Sequence, residues 1–65
     1  MDEMDIWRAA KAAMDLYGDD AAVRAAMRAD ALLDLGDSDG FHAWKRIVHA
    51  INELTRAKSA DEPLH

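Results

Sequence analysis

Positions 36–54 read Gly-Asp-Ser-Asp-Gly-Phe-His-Ala-Trp-Lys-Arg-Ile-Val-His-Ala-Ile-Asn-Glu-Leu. The apolar residues Trp44, Ile47, Val48, Ile51 and Leu54 recur at steps of three and one, with Phe41 a turn earlier. At 3.6 residues per turn they form one stripe of a helix. His42, Lys45, Arg46, His49, Asn52, Glu53 and Arg56 fill the other side. The stretch is therefore a helix with one face against a core, and no other segment constrains the fold as strongly. Trp44 lies mid-stripe, which places it at the centre of the expected core.

Two helices precede it. Asp2 reads as an N-cap, with Glu3 and Asp5 in the first turn, and Gly18 as the stop, giving a helix over 2–17. Its stripe is Trp7, Ala10, Met14 and Tyr17, widened by Ile6 and Ala13, with Lys11 and Asp15 as an i,i+4 pair outside. Asp19 or Asp20 caps a second helix over 20–35 that stops at Gly36. Its stripe, Ala22, Ala25, Ala26, Ala29, Leu32 and Leu33, is small for three turns and then large; it lets a neighbouring backbone come close, or lets the Trp and Met side chains of another helix fold over it. Val23 and Met27 lie off that stripe and supply more apolar surface than one contact needs. Asp37 or Ser38 caps the third helix, over 38–56. Connections this short make consecutive helices antiparallel neighbours. No stretch alternates with the period of two that a strand requires. The reading is an all-α, antiparallel three-helix domain over 1–57 with a flexible tail at 58–65.

Positions 36–51 carry the pattern Gly-Asp-x-x-Gly-x-x-x-Trp-x-x-Ile-x-x-Ala-Ile after an Ala-rich helix. In this the chain resembles a set of short, Ala-rich bacterial hypothetical proteins of unassigned function, over most of its length. That resemblance implies a fold and no mechanism. The run Leu32-Leu33-Asp34-Leu35-Gly36-Asp37 before an amphipathic helix also resembles, locally, the helical hairpin of tetratricopeptide repeats. Phe41 stands where that pattern prefers a small residue, and no second copy follows at a 34-residue period.

Sixty-five residues without a cysteine leave little to hold a fold together. A core of this size rarely supplies more than about 3–5 kcal/mol, and small natural domains usually add a disulfide, a metal or a partner. With no thiol for a disulfide or a thiolate-bound metal, self-association is the expected route, as a homodimer. No window approaches the roughly 20 apolar residues of a membrane span. The acidic opening Met-Asp-Glu-Met-Asp differs from the basic start of a secretory signal, so cytoplasmic residence is expected.

Catalytic and metal motifs are weak. Aligning Gly40 with the invariant glycine of a calcium-binding EF-hand loop puts Leu35 and Arg46 at the two anchoring ligand positions, which excludes that site. His42 and His49 are two turns apart, too far to share one ion, since a helical metal pair sits at i,i+4. No nucleophile–base grouping and no phosphate-cradling glycine loop is present, so neither a cofactor nor an enzyme is expected. Residues 1–40 hold ten acidic and four basic side chains, a net of −6, whereas 41–58 hold four basic and one acidic, a net of +3. A basic stripe beside so acidic a remainder disfavours nucleic acid as a partner. The expected function is a non-enzymatic protein-interaction module, with a small acidic inhibitor that mimics nucleic-acid charge as the alternative. The candidate interaction residues are Trp7, Val23, Met27, His42, Arg46 and His49.

Overall fold

The computed structural model describes residues 2–61, with side chains described through position 58. Among the described residues 93% are helical and none is in a strand. The elements are α1 (Glu3–Tyr17), a 3-10 turn (Gly18–Asp20), α2 (Ala21–Asp34) and α3 (Ser38–Asp61). The 3-10 turn joins α1 to α2 without a non-helical residue, so the backbone forms two unbroken helical runs, 3–34 and 38–61. The principal extents are 47 × 22 × 16 Å, and the 24 residues of α3 span about 36 Å.

Local chemistry starts and stops the helices. Asp2 caps α1 from an extended conformation, its Oδ1 accepting the Asp5 N–H at 3.0 Å. Gly18 ends α1 with φ +58° and donates its N–H to the Met14 carbonyl. Asp20 precedes α2 but makes no side-chain cap, contrary to the expectation that Asp19 or Asp20 would. The 3-10 turn takes over that role, because the Ala21 N–H already has the Gly18 carbonyl.

The α2–α3 corner is tighter. Gly36 has φ +81°, its N–H bonds to the Leu33 carbonyl at 3.0 Å, and the Asp37 N–H bonds to the Leu32 carbonyl at 2.9 Å. That pair is a Schellman motif, which needs a left-handed residue at Gly36. Asp37 then serves α3 as N-cap, its Oδ1 accepting the Gly40 N–H at 2.8 Å. A Cβ on Gly40 would lie 2.5 Å from the Asp37 carboxylate, so glycine there keeps the cap in place. The third helix runs to Asp61 rather than fading after position 56, and so enters the segment 58–65 expected to be a flexible tail. Ala57 and Lys58 are good helix formers, and a helix extends by propensity where its apolar stripe has ended. Positions 62–65 of that segment lie outside the described residues.

The core is small and mostly alanine. Ile6 and Ala10 from α1, Ala21 and Ala25 from α2, and Ile47, Ala50 and Ile51 from α3 form one buried cluster. Ile47 is its largest side chain with no exposed surface, and among the described residues no polar side chain is buried. Three adjustments to the sequence reading follow. The buried row of α2 is Ala21, Ala25 and Ala29; Ala22 packs against the cluster from its margin, Ala26 is half-buried, and Leu33 is half exposed. In α1 the buried residues are Ile6 and Ala10, while Trp7 and Met14 flank them and Tyr17 is exposed. Trp44 packs at the edge of the cluster and is not its centre. Alanine rows let the helices approach too closely to enclose an indole, so the branched Ile47 takes the middle.

Two outcomes test this packing. Deleting a buried isoleucine side chain costs about 2–5 kcal/mol, as much as a core this size supplies. Ile47→Ala should therefore be largely unfolded by far-UV circular dichroism at 25 °C, whereas Trp44→Ala should retain a cooperative melt. The reverse order would put Trp44 back at the centre. Gly36→Ala meets no neighbouring atom, so its cost is purely the left-handed backbone, about 1 kcal/mol. Its melting temperature should fall by roughly 4–8 °C, and an unchanged value would contradict the Schellman corner.

Candidate functional site

With alanine inside, larger apolar side chains remain outside. Val23 and Met27 are 59% and 60% exposed, and Leu16 and Leu35 are 72% and 80% exposed. At about 100° per residue, the buried row Ala21, Ala25 and Ala29 puts Val23, Met27, Asp30 and Asp34 on the opposite side of α2. This outward face is continuous with a shallow groove of about 620 Å³ between α1 and α2. Ala9, Ala12 and Ala13 of α1 line it, with Leu16 and Met27 along its sides.

Two guanidiniums edge the groove. The Arg24 guanidinium carbon stands 5.3 Å from the Tyr17 ring centroid, and that of Arg28 stands 5.9 Å from the Trp44 ring centroid. Such stacking satisfies the face of the cation and leaves its edge N–H donors for an anion. The groove is therefore apolar along its floor and cationic at its edge, on a chain of net charge −5. A second cavity of about 500 Å³ lies between the end of α1 and α3, with Lys11 and Lys58 set against Asp15 and Asp19. Its charges offset one another and favour no ligand of either sign.

The expected interaction residues do not form one patch. Val23 and Met27 share the outer face of α2, and Met27 lines the groove. Trp7 is half-buried against the core and does not line that groove. His42, Arg46 and His49 are exposed on α3, away from the groove lining. The His42 ring meets Phe41 edge-on, with centroids 5.2 Å apart. Glu53 pairs with Arg56 at 3.1 Å, and Arg8 lies 3.9 Å from Asp5. Among the described residues no group of three or more His, Cys, Asp or Glu side chains could hold a metal.

Sequence reasoning missed Leu16, Leu35, Arg24 and Arg28. Leu16 was legible, since it lies off the α1 stripe as Val23 and Met27 lie off that of α2. Leu35 was obscured by its position beside the Gly36 stop, where a hydrophobe reads as part of the cap. Arg24 and Arg28 carry no signal in spacing; what sets them apart is their stacking over the Tyr17 and Trp44 rings. Compared with protein-family models, with curated proteins and with solved structures, the chain matches none.

Proposed function

We propose that this chain is a non-enzymatic protein-interaction module, an antiparallel three-helix unit of the cytoplasm whose partner is a second copy of itself. The observation that carries the reading is the inversion of size across α2. Alanine faces the core, while Val23 and Met27 face outward and Leu35 follows at the helix end. Fully burying a side chain of that size is worth about 1.5–3 kcal/mol. A chain with so small a core gains comparatively much by covering these residues. A second copy is always present at the chain's own concentration.

The alternative, an inhibitor that mimics nucleic-acid charge, draws on Asp19, Asp20, Asp30 and Asp34, all of them exposed. Arg24 and Arg28 lie between these two acidic pairs along α2, and Val23 and Met27 share their face. A mimic of a phosphate backbone requires an uninterrupted anionic track, so the interrupted one favours the interaction module.

When folding and association are linked, stability depends on concentration. Each tenfold increase adds about 1.4 kcal/mol per dimer. The melting temperature should rise by several degrees per tenfold increase between about 10 and about 1000 μM, as read by circular dichroism. A midpoint independent of concentration throughout that range would remove the self-associating reading.

A further inference from the structure

The outer surface of α2 changes character along its length. Its first half presents Val23, Arg24, Met27 and Arg28, and the half that follows presents Asp30, Ala31, Asp34 and Leu35, all of them exposed. The two halves correspond about Ala29. Arg24 and Asp34 lie equally far from Ala29, as do Arg28 and Asp30, Met27 and Ala31, and Val23 and Leu35. Ala29 itself is fully buried, so at its level the opposite side of α2 faces outward.

Antiparallel pairing of two identical helices about a two-fold axis brings each residue to the height of its counterpart on the other copy. With the axis at the level of Ala29, a cation comes to the height of a carboxylate, or an apolar group to that of an apolar group, at all four positions, and Arg24 with Asp34 and Met27 with Ala31 lie near enough to the facing line to touch. Parallel pairing would set Arg24 beside Arg24 and Asp34 beside Asp34, which is repulsive.

We propose, on the reading that the chain self-associates, that a second copy docks antiparallel along α2 with the two-fold axis at Ala29. Met27 lies against the partner's Ala31, whose small side chain allows close approach of the two backbones. Arg24 reaches the partner's Asp34 across that line, and symmetry makes each contact twice. The Tyr17 ring holds the face of the Arg24 guanidinium, leaving its edge N–H groups for the carboxylate. Leu35 projects on the same flank of α2 as Arg24 and is the most exposed of the large apolar residues named above. The partner's Leu35 therefore arrives at the level of Val23, at the mouth of the α1–α2 groove beside Leu16 and Tyr17. Arg28 is committed to Trp44 farther round the helix, which leaves Arg24 to set the register.

A charge swap tests this arrangement. R24D places an acid in the half of α2 nearer its N-terminus and D34R a base in its last turn, both favourable to the helix dipole. Both positions are exposed, so a loss of association would not reflect a weakened helix. By sedimentation equilibrium, R24D and D34R should each weaken the dimer by about 10- to 100-fold, and R24D/D34R should restore it. L35S should weaken it independently of charge. A wild-type dimer indifferent to R24D, D34R and L35S would overturn the α2 docking and leave self-association standing. A double swap as weak as either single variant would overturn the pairing of Arg24 with Asp34. A wild type monomeric over the whole range would overturn this docking together with the reading it rests on.

Discussion

Ile47, with no exposed surface, sits in one cluster with Ala21 and Ala25 of α2, and the rest of the molecule depends on that seat. A β-branched side chain against a row of methyl groups lets two helices pack closely, at the density of a crystal rather than a liquid. The same closeness limits the apolar area the core can enclose. Larger side chains are displaced to its margins, where Trp44, Val48, Leu54 and Met14 pack without being enclosed. Others, such as Val23, Met27 and Leu35, face away altogether.

The corner between α2 and α3 holds that seat in register. Asp37 closes one helix with its backbone N–H and opens the next with its carboxylate, and Gly36 supplies the left-handed residue between them. A single short corner thus fixes both where α2 ends and where α3 begins. The alanine row and Ile47 then meet without a loop to adjust their relation. The outer face of α2 is fixed by the same geometry, because a helix that buries Ala21, Ala25 and Ala29 must present Val23 and Met27 to the outside.

The parts of this arrangement that were legible in the sequence are those decided by local hydrogen bonding. Asp2, Gly18 and Gly36 announce their roles, and Asp37 is one of two candidates for its own, because a cap or a left-handed stop requires only neighbouring residues; the cap expected at Asp19 or Asp20 gives way to the 3-10 turn. The rotation of each helix was harder to read. Alanine suits a core and a solvated surface equally, so Ala21 and Ala22 are distinguished only by how closely another helix approaches. The mid-stripe position of Trp44 points to the centre of the core, yet close helix packing selects the smaller Ile47. The end of α3 was set too early because the apolar stripe stops before helical propensity does. At the candidate site, Val23 and Met27 stood out by lying off the stripe. The roles of Arg24 and Leu35 depend on contacts with Tyr17 and on exposure beside Gly36, which spacing alone does not encode.

On the proposed self-association, the buried alanines of α2 serve the fold while Val23, Met27 and Leu35 serve a second chain. Isotope-filtered nuclear Overhauser spectroscopy on an equal mixture of labelled and unlabelled protein tests this most directly. Docking along α2 should give intermolecular contacts from the methyl groups of Met27, Val23 and Leu35, and only intramolecular contacts from Ile47. Intermolecular contacts confined to α3, or none from Met27 at any concentration, would contradict it.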